Sequence, residues 1–122
     1  MLSFGPSHDG ARCAAAREMI DLRVGAAETS LGCPVDRASL RQVNTSLYEV
    51  SWLLEGLVAD VDARTAQRLQ SVRNDLGGHL LAAAALQSID VPADRVATVL
   101  RRGVIAARSG IAAIDADGTT AT

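Results

Sequence analysis

Aromatic side chains are almost absent from this chain of 122 residues: they make up 2%, namely Phe4, Tyr48 and Trp52. Large rings are therefore not available to fill a core, which must come from Leu, Ile, Val and Ala and so favours thin, closely packed helix interfaces. Lysine is missing altogether, and all 12 basic residues are arginine. The formal net charge is −2, without the basic excess that a nucleic-acid binder usually carries. No apolar run reaches the roughly 18–20 residues of a membrane span. Met1 to Gly10 lacks the basic and apolar regions of a signal peptide, so the expected compartment is the cytoplasm. The 2 cysteines, Cys13 and Cys33, form no CxxC pair and read as reduced thiols. Hydrophobic residues nevertheless make up 48%, enough to exclude disorder by composition and to give one domain spanning residues 1–122.

What is present is helical periodicity. Leu40, Val43, Leu47, Val50, Leu54, Leu57 and Val61 follow steps of three and four without interruption. That heptad seam makes one helical stripe face another helix. Asp36 is the natural cap before it. Upstream, Ser7 is placed to cap a first helix. Its stripe of Ala11, Ala15, Met19, Leu22 and Ala26 is widened by Cys13, Ala16, Ile20, Val24, Ala27 and Leu31, a face broad enough to be mostly buried. Gly32 and Pro34 stop it. Downstream, Leu69, Val72, Leu76, Leu80, Ala83, Leu86 and Ile89 form a third stripe. Pro92 opens a fourth, with Val96, Val99, Leu100, Val104, Ala107, Ile111 and Ile114.

Two architectures compete over residues 60–63. Either Asp62 caps a new helix after a tight turn, or one long helix runs from 36 to 76 or beyond in a three-helix arrangement. The turn gives helices of about 8–30, 36–61, 63–89 and 93–115, near-equal lengths that suit an all-α antiparallel four-helix bundle. That is the expected fold, with residues 1–6 and 116–122 frayed.

Six glycines fall inside these helices: Gly25, Gly56, Gly77, Gly78, Gly103 and Gly110. Each costs about 0.8–1 kcal/mol relative to alanine. The plain explanation is close helix approach, above all along Gly103, Ala107 and Gly110. The sharper one is room for a bound group near Gly77, Gly78 and His79, and a helix break at Gly77–Gly78 is a third reading.

The octet Asn74 to Leu81 is similar to the LGGHSLL segment of peptidyl carrier proteins. The serine that carries phosphopantetheine there has no counterpart, because Leu80 follows His79 directly. The octet also resembles the H-box of one class of histidine kinases, matching at Asp75, Gly78, His79 and Leu81. The phosphoacceptor histidine of that box would fall on Asn74. Neither resemblance carries its chemistry, so no family is assigned.

Asp75 and His79 lie four apart on one helix face and form either a surface hydrogen bond or a two-ligand half-site. The Glu-x-x-His pattern of di-iron bundles, a phosphate loop and a GxSxG nucleophile are all absent. No catalytic residue, metal ligand set or cofactor is assigned, and an enzyme is not the favoured reading. Tyr48 and Trp52, four apart, flank the seam. They either finish the monomer's core or form an exposed partner anchor. Arg95, Arg101, Arg102 and Arg108 make the fourth helix locally basic, as a solvated face or a surface for an acidic protein.

Three functions fit. The first is a non-enzymatic adaptor, assembly factor or accessory subunit working through a homo- or hetero-oligomeric helix interface at Tyr48 and Trp52. The second is a ligand- or haem-binding regulatory bundle using His79, Gly77 and Gly78. The third is a DNA-binding regulator using Val91 to Gly110.

Overall fold

The computed structural model describes residues 4–32 and 35–121, with side chains described over 14–32 and 35–116. Four helices follow in order: α1 (Phe4–Gly32), α2 (Arg37–Val58), α3 (Ala63–Gln87) and α4 (Ala93–Ala121). Apart from the short turns between them these helices hold the whole of the described residues, and no strand occurs among them. Pro34 and Cys33 lie outside the described residues, as do the side chains of Ser7, His8 and Cys13.

The boundaries follow from the caps. Asp36, in an extended conformation, accepts a hydrogen bond from the Ser39 amide at 2.8 Å and starts α2. Asp62 does the same for α3 through the Thr65 amide at 2.7 Å. The hairpin reading is therefore right, and the single long helix is not formed. α2 stops at Val58, where the Asp60 amide bonds to the Leu57 carbonyl at 2.9 Å. Val61 thus leaves the helix yet still packs against the core from the turn. α3 closes at Gln87, and the Ser88 hydroxyl satisfies the Ala85 carbonyl at 2.7 Å. α1 begins at Phe4, earlier than a Ser7 cap would allow. Pro6 falls in its first turn, where a missing N–H removes no intrahelical bond. α4 starts just after Pro92 and continues to Ala121.

The helices alternate in direction. Asn44 reaches Gln87 (3.1 Å) and Glu55 reaches Arg73 (3.2 Å), so numbers rise on α2 as they fall on α3. Packing is broad between α1 and α2, α2 and α3, and α3 and α4, but thin between α4 and α1. α2 and α4 also touch across the diagonal. Among the described residues the core is wholly aliphatic: the seam residues Leu40, Val43, Leu47, Val50, Leu54 and Leu57 meet Ile20, Leu76, Leu100 and their neighbours.

α1 corrects the broad buried face expected of it. Ile20, Val24, Ala27 and Leu31 are buried, whereas Met19 is 38% and Leu22 60% exposed. Only one of its two apolar stripes has a neighbour to pack on: Met19 and Leu22 lie beyond Arg23 on the α2 side, turned away from α4, and no helix covers them. The glycines divide in the same way. A β-carbon on Gly110 would lie 2.5 Å from Val72 Cγ2, and one on Gly103 would lie 3.0 Å from His79 Cβ. At Gly110 α3 and α4 approach too closely for a side chain unless Val72 shifts, and at Gly103 a β-carbon would be tight against His79. Gly25, Gly56, Gly77 and Gly78 would meet nothing within 4 Å, and α3 runs unbroken through the last two.

Candidate functional site

At 100° per residue, the seam of α2 directs Leu47, Val50 and Leu54 inward and leaves Arg41, Thr45, Tyr48, Trp52 and Gly56 on the far side. Trp52 stands almost opposite the seam and is 74% exposed; Tyr48, one turn before it, is 48% exposed. The pair does not complete the core, because its stripe points away from both neighbouring helices. Ion pairs flank it on each side. Arg23 of α1 lies 3.1 Å from Glu49, and Arg73 of α3 lies 3.2 Å from Glu55. The Arg23 Nε makes this contact without hydrogen-bond alignment, so it is an ion pair only. The Arg23–Glu49 contact also fixes register: Met19 on α1 lies one turn from it, toward the same end of the bundle as Trp52. The result is two exposed aromatics, one turn apart, flanked by ion pairs on both sides.

His79, Gly77 and Gly78 form a different environment. His79 is half-buried in α3, and its Nδ1 donates to the Asp75 backbone carbonyl of the same helix at 2.9 Å. The contact is to the Asp75 main chain, not its carboxylate. Gly103 of α4 packs on the His79 Cβ, so the helices close together here rather than open. Gly77 and Gly78 face open space. Among the described residues no cluster of three His, Cys, Asp or Glu could hold a metal.

Two arginines of the basic stripe of α4, Arg101 and Arg108, reach α1. Arg108 binds both carboxylate oxygens of Glu28 at 2.6 Å, and Arg101 donates to the Leu31 carbonyl at 2.8 Å. One level below, Arg17 of α1 pairs with Asp115 of α4 and with Asp21 at 2.7 Å. The Arg108 guanidinium holds the Glu28 carboxyl below its usual range, and Arg108 is raised in turn. Arg17 is raised chiefly by its bond to Asp115. Sequence reading placed Arg101 and Arg108 on one face but missed Glu28, Arg17 and Asp115. Their only sequence signal is one acidic and one basic residue on α1 at levels that an antiparallel α4 would meet.

Beside Arg17 and Asp115 lies a cavity of about 160 Å³, lined by Ile20, Leu54, Leu57, Leu69 and Ile111 among others. It matches in size an apolar cavity that admits a single ring. Among the described residues no helix is long and apolar enough to cross a membrane. Comparison with protein families, characterised proteins and solved structures gives no match.

Proposed function

We propose that this protein is a small non-enzymatic interaction module, an adaptor, assembly factor or accessory subunit, and that the outer face of α2 is its binding surface. One observation carries the reading. The largest side chain of the molecule, Trp52, is 74% exposed in a bundle whose core is aliphatic throughout the described residues. Tryptophan and tyrosine are enriched among residues that dominate binding energy, since each offers a large apolar area with a polar tip. The charged rim supplied by Arg23–Glu49 and Arg73–Glu55 suits a surface that must stay soluble until covered. The expected compartment is the cytoplasm, where cysteines stay reduced.

The single tryptophan makes the test direct. Its emission should shift to the blue as Trp52 is covered, in step with association seen by sedimentation over a concentration series. Trp52→Ala should weaken association by more than about 1 kcal/mol. For a foreign partner, a photo-crosslinker at Tyr48 should capture a defined protein in the source cell. A protein that neither self-associates nor crosslinks overturns the reading. The ligand-binding alternative rests on the apolar end cavity beside Leu54 rather than on His79. A visible spectrum of the purified protein, and a thermal shift with benzene, separate it from the first.

A further inference from the structure

We infer that the end cavity beside Leu54 is a binding site for one small, uncharged apolar molecule of about the size of a six-membered ring, closed on the α1–α4 side by the Arg17–Asp115 pair. The inference rests on the ligand alternative above and adds its ligand class and its door. It stands separately from the α2 reading, because neither Tyr48 nor Trp52 lines the cavity.

The void has a cause in the sequence. Toward this end of the bundle the last buried aliphatic residues of α1, α3 and α4 are Ile20, Leu69 and Ile111. One turn further, the same stripes pass to Arg17, Thr65 and Asp115. A threonine and two charged residues thus stand where aliphatic side chains would have filled the layer. Arg17 and Asp115 pair with each other at the rim, and the space between the helices stays open. Atoms that line such a void have no contact on one side, and a ring placed there restores it.

The walls decide the ligand. A volume of about 160 Å³ holds one ring and is too small for a porphyrin, which removes haem as the occupant. Two buried side-chain nitrogens lack a hydrogen-bond partner among the described residues, Arg23 Nε and Arg73 Nε, and neither residue lines the cavity. No buried, unpartnered donor or acceptor is therefore left here for a ligand to satisfy. A polar group carried inside would lose its bonds to water without replacement. At the mouth one guanidinium, Arg17, stands between two carboxylates, Asp21 and Asp115. That surplus of negative charge turns anions away.

The door follows from the packing. α1–α2, α2–α3 and α3–α4 are broad contacts, whereas α1 and α4 pack thinly. Arg17 and Asp115 bridge that thin side through a solvated pair, which breaks more readily than close apolar packing. The ligand enters between α1 and α4.

The experiment is calorimetric titration and thermal melting of the full chain with benzene and with benzoate, joined to NMR of the benzene complex. Benzene should bind at one site per chain, with a dissociation constant of roughly 0.1–1 mM, and should raise the melting temperature as its concentration rises. Benzoate should bind at least tenfold more weakly. Intermolecular Overhauser effects should run from benzene to the methyls of Leu54, Leu57, Leu69 and Ile111, which locates the ring without any substitution. Val61→Phe adds a ring from the turn rather than from a helix. It should weaken benzene binding at least tenfold while the melting temperature of the free protein holds or rises. Asp115→Asn should speed benzene exchange at least threefold. Arg108→Gln, which breaks an α1–α4 pair away from the cavity, should change it less than twofold. No benzene binding, effects only to methyls elsewhere, or unchanged binding by Val61→Phe overturns the site. Benzoate binding as tightly as benzene overturns the uncharged class. An exchange rate indifferent to Asp115→Asn, or changed as much by Arg108→Gln, overturns the door. The α2 reading is decided apart from all of these, by sedimentation and crosslinking without benzene.

Discussion

α4 meets its two neighbours by opposite means. Toward α3 it presents Gly103 and Gly110, seven residues apart, against His79 and Val72. Toward α1 it presents Arg101, Arg108 and Asp115, also seven apart, which reach Leu31, Glu28 and Arg17. The stripes are offset by two residues, or about 200° around the helix, so they lie on opposite sides. On the α3 side, missing side chains let apolar surfaces close without a gap. On the α1 side, long side chains span a distance that apolar contact leaves uncovered. Close packing fixes position and supplies most of the stability; exposed ion pairs fix register and supply little, being solvated and screened. The α1–α4 side is therefore where this bundle is expected to open first.

The apolar half of that comparison is tested most severely in the seam. Leu54 is fully buried, about one turn before the end of α2, and lines the end cavity. Leu54→Ala should destabilise by about 2–5 kcal/mol, read by denaturant unfolding. A cost under about half a kcal/mol would mean that the seam does not hold the helices together.

Glycine substitutions sharpen the contrast by changing sign. Gly110→Ala forces a β-carbon to 2.5 Å from Val72 Cγ2. Overpacking of this kind costs about 1–3 kcal/mol, and the gain in helix propensity of about 1 kcal/mol offsets part of it. The net effect should be destabilising. Gly77→Ala adds a β-carbon that meets nothing, so it should stabilise by about 0.4–1 kcal/mol. Equal effects at the two positions would contradict the close approach of α3 and α4.

The same glycines show how far sequence reasoning reaches. Periodicity located the seam on α2 from Leu40 to Leu57, because one buried stripe repeats there over about five turns; only Val61 fell in the turn beyond the helix. Asp36 and Asp62 were legible as caps, since a carboxylate that bonds a free amide needs only a local spacing. Gly103 and Gly110 were legible as a close-approach strip through their setting of small residues. Gly77 and Gly78 looked identical in sequence but face open space, a distinction that depends on which neighbour lies alongside. α1 failed for a related reason: two apolar stripes are visible in its sequence, and only packing decides that Leu22 stays outside. The exposed position of Trp52 follows from its angle to the seam. What the helical wheel did not show was whether a third helix would cover that angle.

The polar half of the comparison gives the smallest effect. Arg108 and Glu28 are 47% and 41% exposed, so their two short bonds are screened by solvent, and removing them should cost under about 1 kcal/mol. The sign with pH is definite. Arg108 lowers the folded-state value of Glu28, so the pair contributes stability that is fully present above the ordinary carboxylate range. That contribution is lost as pH falls into that range and through the lowered value of the folded state. Asp36 and Asp62 act in the same direction, each lowered mainly by the backbone amide it caps, Ser39 and Thr65 respectively. All three therefore make the protein less stable in acid. Glu28→Gln isolates the tether from the caps: it should flatten the acid limb of the stability curve only slightly and remove part of its salt dependence. Molar salt should narrow the gap between Glu28→Gln and wild type at neutral pH. A gap that is large, or indifferent to salt, would mean that the α1–α4 side is held by more than its ion pairs, and the contrast between the two faces of α4 would fail.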